Sequence, residues 1–186
     1  MRMPFRFATT LLILFVAGAA VPEPLEEGPT PIQQLFVIKE LKPGLERIGL
    51  IWDKNVTDTG ALMPQVQRAS ASTGIKVFLA EVADLKDVAP QFRTLAREHQ
   101  VQAIWILEST GVMDNGVTRS FIIKNATSAG LPVFAPSEAW VNEGASVAVI
   151  KDDGGISLLV NKAAAEAMSL TIPEKYLERT QYLALN

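Results

Sequence analysis

The sequence predicts an α/β domain, a three-layer sandwich with helices on both faces of a mostly parallel sheet. Three observations predict it. Short runs rich in apolar and β-branched residues alternate with longer stretches of helical periodicity. The runs are nearly continuous rather than alternating in polarity, as strands covered on both faces should be. Glycine or proline punctuates most of the junctions. Strand–helix–strand units of this spacing close as right-handed crossovers, which puts helices on both sides of a flavodoxin-like sheet.

The chain begins MRMPFRFATTLLILFVAGAAVPEP. Arg2 and Arg6 precede an apolar run at 11–16, and small residues fill 17–20. That is the layout of a cleaved secretory signal peptide, assigned to residues 1–20, and it predicts export from the cytoplasm. The apolar run is shorter than the roughly 20 residues that span a bilayer as a helix. Residues 21–31 hold Pro22, Pro24, Pro29 and Pro31 with Glu23, Glu26 and Glu27, the composition of an extended linker. A single domain is expected over 32–186.

Within that domain a helix is expected over 33–41, stopped by Pro43-Gly44. RIGLIW at 47–52 reads as a doubly buried strand. A helix follows over 60–72, with Pro64 in its first turn or kinking it, and Gly74 closing it. Strands at 75–82 and 101–107 flank a helix at 88–98. A helix at 115–128 ends at Gly130, a short strand lies at 131–135, and a helical turn at 137–142. A strand at 145–150 precedes an alanine-rich helix expected over 156–169. The alternation at 178–185 reads as an edge strand.

Composition removes whole classes of chemistry. With no cysteine there is no disulfide, thiolate nucleophile or thiolate metal site. His99 is the only histidine and falls at a helix C-terminus, where a cation is favourable. Losing the leader's two arginines takes the formal charge from −3 to −5, and no basic run exists, so a nucleic-acid partner is not expected. DKNVTDTG after the first strand carries no dinucleotide fingerprint, and no Walker loop occurs. A phosphoacceptor receiver would need an acidic pair and an aspartate that are not in place; only Lys151 lies near its position. No catalytic residue and no cofactor are therefore expected. Asp152-Asp153 reads either as a helix N-cap or as a carboxylate Ca²⁺ or Mg²⁺ site.

Open α/β sheets bind ligands at the carboxyl ends of their strands. The loops expected there supply Asp53, Asn55, Thr57, Glu108, Ser109, Thr110, Ser137 and Glu138 as candidate ligand-binding residues. Thr57, Ser137 and Asp153 also read as helix caps, and spare N–H groups beside a cap suit a carboxylate. Val112, Met113, Trp140 and Val141 follow in the same loops. If exposed, they predict an interface, either self-association or docking on a membrane protein.

Ordered segments of the chain resemble the periplasmic substrate-binding proteins of ABC importers, in the branch linked to aromatic amino acids. They are Leu41-Lys42-Pro43-Gly44 with Arg47-Ile48-Gly49-Leu50-Ile51, then Ala103-Ile104-Trp105-Ile106-Leu107. GLPVFAPSE from Gly130 to Glu138 matches most closely, followed by Gly144-Ala145, Asp152, the alanines from Ala163 to Ala167, and YLALN from Tyr182. The resemblance covers about residues 31–186. It implies a periplasmic-binding-protein-like fold, of which this chain carries one of two lobes, and a non-enzymatic role binding a small, amino acid-like solute outside the cytoplasm. The alternative expectation is an interaction or regulatory protein that keeps the fold without the ligand and docks on a membrane partner or on itself. At the loop after Trp105 relatives commonly carry Pro-Asp, where this chain has Glu108-Ser109.

Overall fold

The computed structural model describes residues 28–183, so the expected leader and most of the expected linker lie outside the described residues. Seven strands form one sheet in the order β2-β1-β3-β4-β5-β6-β7. The first helix, α1 (Pro31–Leu41), starts where Thr30 and Gln33 form a reciprocal capping box ahead of Pro31. That box satisfies two of the N–H groups a helix start leaves open. Strand β1 (Arg47–Asp53) is buried at six successive positions from Ile48 to Asp53. Leu50 and Trp52 join the core beneath α1 and α2 (Thr59–Thr73), while Ile51 joins the core on the other face. A strand alternates its side chains between faces, so a continuous apolar run demands cover on both.

Pro64 is the sixth residue of α2, one turn deeper than a helix start tolerates without losing a bond. Asp58, not Thr57, caps this helix, accepting from Ala61 N at 3.2 Å. Strand β2 (Lys76–Val82) pairs parallel with β1 at the sheet edge. Helix α3 (Leu85–Arg93) passes into a π-helical turn at Thr94–Glu98. His99 caps that turn, and its ring stacks on Phe78 at 4.4 Å between centroids. Strand β3 is short (Ile104–Ile106), and β4 (Val133–Ala135) follows α4 (Gly116–Ser128). All neighbours from β2 to β5 (Val147–Asp152) are parallel. Buried Phe92, Ile104, Ile122 and Trp140 fill the layer under α3, α4 and α5 (Glu138–Asn142).

The expected helix over 156–169 is corrected. Residues Gly155–Asn161 form β6, antiparallel to β5 in the register Asp152↔Gly155, and only Lys162–Ala167 is helical (α6). The loop between paired Asp152 and Gly155 is Asp153-Gly154, a two-residue hairpin with Gly155 at φ +112°. An Asp-Gly turn flanked by apolar runs is a hairpin signal, and the apolar ISLLV run gains more as a strand against β5 than its alanine-rich continuation suggests. Asp153 is consequently no helix cap. Asp152 accepts from Gly154 N at 2.9 Å and from Arg179 Nη2 at 2.6 Å, and its other oxygen takes the Ser157 hydroxyl. Those donors, Ser157 first, hold its carboxyl below the usual range and tie it into the hairpin. After a 3₁₀ segment at Glu174–Arg179, β7 (Thr180–Leu183) pairs parallel with β6 at the far edge, as the alternation predicts.

Candidate functional site

The chain steps from β1 out to β2 and then back across to β3, so the strand order reverses between β1 and β3. The crevice at such a switch point, outside the carboxyl ends, is where α/β sheets take ligands. A cavity of about 650 Å³ lies beside it. Glu108, Ser109 and Thr110 line it from the loop after β3, Pro136 from the end of β4, and Ile150 and Lys151 from β5. Gly28, Pro29 and Gln34 close it from the start of α1.

Asp53 ends β1 at 2% exposure and organises the neighbouring loops. Its Oδ1 accepts from Asn55 N at 2.8 Å, and its Oδ2 accepts from Val112 N at 2.8 Å. The second bond joins the β1 loop to the one after β3, where Gly111 has φ +55°. A Cβ on Gly111 would collide with Asp53 Oδ2, so the close approach of the two loops requires glycine here. The hydroxyl of Thr57 donates to Glu108 Oε1, a second tie between the same loops. Ser109 Oγ donates to Asp114 Oδ1 at 3.2 Å.

Of the eight expected residues, Glu108, Ser109 and Thr110 line the cavity, and Asp53 and Thr57 brace its loops. Asn55 is exposed and its side chain donates to Ala83 O at 2.8 Å. Ser137 sits at the N-cap position of α5 without capping it, and its buried hydroxyl has no partner among the described residues. Glu138 is exposed, accepts from Asn142 Nδ2 at 3.4 Å, and does not line the cavity. Sequence reasoning missed Gln34 and Trp105. The Trp105 indole donates to Gln34 Oε1 at 2.6 Å, and Gln34 Nε2 donates to Pro29 O at 2.8 Å. This chain of bonds fixes the segment before α1 against the sheet edge. An amide directly before Leu35 on the inward face of α1 was the available signal.

The expected apolar interface is also corrected. Met113, Trp140 and Val141 are fully buried, because α5 folds back under its own layer, and Val112 is half-buried. They form core, not a free docking face.

Burial in the loop, and then the nearby Asp53 charge, push the Glu108 carboxyl above the usual glutamate value of 4.5. Folding therefore favours the protonated acid. The stability linked to Glu108 is fully present below pH 4.5 and is lost as pH rises through the raised folded value. Urea unfolding of Glu108→Gln should show less loss of stability between pH 4 and pH 7 than the parent, with the larger gain at pH 7. A parallel pH dependence in both proteins would refute this assignment.

A family model described as ABC transporter substrate binding protein matches residues 29–156. No curated protein matches the sequence. Among solved structures, a conserved domain protein from Vibrio cholerae O1 biovar El Tor is 24% identical at a TM-score of 0.67, with 82% of this chain and 60% of that one covered. An ABC domain from Streptococcus pneumoniae in complex with L-Trp is 18% identical at 0.69, with the same coverages of 82% and 60%. A ligand-free, open substrate-binding protein with adhesive properties from Clostridium difficile is 14% identical at 0.65, covering 83% and 59%. The fold is thus that of a periplasmic-binding-protein lobe, and the chain spans about 60% of the length of these relatives.

Proposed function

We infer that this chain, which belongs to the family of ABC transporter substrate-binding proteins, is an extracytoplasmic solute-binding lobe that takes a small molecule at the carboxyl edge of β1, β3 and β4. The observation that carries the reading is the 650 Å³ cavity beside the switch point, over the carboxyl ends of β3, β4 and β5, a volume in the range of small-ligand sites. The hydroxyls of Ser109 and Thr110, the Glu108 carboxyl and the Lys151 ammonium give it donors and acceptors of both charges. The Ser137 hydroxyl, next in sequence to the lining Pro136, is buried and has no partner among the described residues. Such a set suits a zwitterion, and the Streptococcus relative's L-Trp makes amino acids, aromatic ones first, the class to test. Asp53, Asn55 and Thr57 hold the loops, Glu108, Ser109 and Thr110 contact the solute, and Ser137 and Glu138 follow the lining Pro136 in sequence, outside the cavity wall.

Thermal-shift measurements over amino acids and aromatic acids test this. A ligand at a hundred times its dissociation constant adds about 2.7 kcal/mol of stability. The double variant Ser109→Ala, Thr110→Ala should fold normally and lose at least ten-fold in affinity, because two hydrogen-bonding groups are removed at about 1 kcal/mol each. Absence of any shift across the screen would overturn the solute reading and favour the interaction protein.

A further inference from the structure

We propose that this chain associates with a second copy of itself, the exposed 3₁₀ segment Glu174–Arg179 of one molecule lying in the groove between α3 and α4 of the next. The groove holds about 590 Å³. Its floor is apolar, with Phe92, Ala96 and Phe121, the two rings meeting edge to face at 6.1 Å. One wall carries Arg93 and Arg97, both exposed, and among the described residues no carboxylate lines the groove. Among the described residues Arg93 donates only through Nε, to its own helix at Ala89 O, and Arg97 donates to none. The wall is the segment where α3 widens into the π-helical turn, a distortion that concentrates at functional sites.

The molecule carries a matching surface on its opposite side. Leu177 is 51% exposed, and Glu174 and Glu178 flank it four residues apart, both exposed and without an ion pair among the described residues. Arg93 and Arg97 have the same spacing. A 3₁₀ segment rises about 2.0 Å per residue, so the two carboxylates stand roughly 8 Å apart along it, within reach of two long guanidinium side chains. An apolar side chain between two acids thus faces an apolar floor beside two bases. The segment's own bases are already engaged, Lys175 with Glu40 and Arg179 with Asp152, which leaves Glu174 and Glu178 as its free charges among the described residues. Tyr176 anchors the segment on the α1 and α2 side of the sheet, whereas Phe92 and Phe121 belong to the other side. One molecule cannot satisfy both surfaces by itself. The contact is heterologous, head to tail, and adds molecules in series unless the rotation closes a ring. Patches this small correspond to weak association.

Sedimentation equilibrium of the full chain up to about millimolar concentration tests the contact. The weight-average mass should rise with concentration and fall back in high salt, since exposed ion pairs are screened. The doubly reversed variants Arg93→Glu, Arg97→Glu and Glu174→Arg, Glu178→Arg should each be at least ten-fold weaker, because each then sets like charges against one another. Mixed in equal amounts, they should recover association, every contact being complementary again. All four positions are exposed, so circular dichroism should be unchanged. A strict monomer, equal association in the reversed variants, or no recovery on mixing would overturn the proposal. So would a monomer that instead captures an acidic amphipathic peptide in the groove.

Discussion

Gly111→Ala is expected to destabilise the domain by about 3 kcal/mol and to open the candidate site. Two effects add. The backbone at Gly111 is left-handed, φ +55°, where a residue with a Cβ is strained by roughly 1–2 kcal/mol. The new methyl also strikes Asp53 Oδ2 and must displace the carboxylate from Val112 N. A buried charged group that loses a hydrogen bond costs about 1–3 kcal/mol. At about 2–4 °C per kcal/mol for a domain of this size, the melting temperature should fall by roughly 6–12 °C. Gly130→Ala is the control: its φ is +67°, but a Cβ there meets nothing within 4 Å. It should show the strain alone, about 1 kcal/mol. Equal losses at the two positions would show that the Asp53 contact adds nothing.

Trp140→Ala should be more damaging still, by about 3–5 kcal/mol, the range for truncating a buried aromatic residue. Trp140 is fully buried among the α4 and β3 side chains, so alanine leaves a void the helices cannot close. Its indole N–H has no acceptor within the described structure. An unmade buried hydrogen bond is itself unfavourable by about 1–3 kcal/mol. Trp140→Phe removes that donor while keeping most of the ring, so it should recover most of the loss and fall within about 1.5 kcal/mol of the parent. Chemical denaturation of the three proteins checks the order. A phenylalanine variant as unstable as the alanine variant would mean that the N–H is satisfied or that the indole shape itself is required.

Much of the fold was legible because it is written in local pattern. The nearly unbroken run Ile48 to Trp52 has the length and pattern of a strand covered twice, and α1, α2 and α4 carry inward residues at helical spacing. Loops at strand ends follow from alternation alone, which is why the position of Glu108, Ser109 and Thr110 after β3 is legible in the sequence. The resemblance in GLPVFAPSE extended that reading to a family, and the match over residues 29–156 agrees with it.

What the sequence by itself determined was therefore the type of most elements and the sheet edge on which polar loops gather. Only the tertiary structure decided the state of ISLLV, because pairing with β5 outweighs the helical tendency of the alanines after it. It also decided that Trp140 is core rather than interface, since burial depends on what packs opposite a side chain. The Trp105–Gln34 bond joins residues 71 positions apart, and the Asp53–Val112 bond spans 59. Contacts of that separation leave no trace in local periodicity. The first needs α1 packed over β3, the second needs the parallel crossovers that bring the ends of β1 and β3 together, and the glycine that lets those loops touch shows its necessity only once the facing carboxylate is in place.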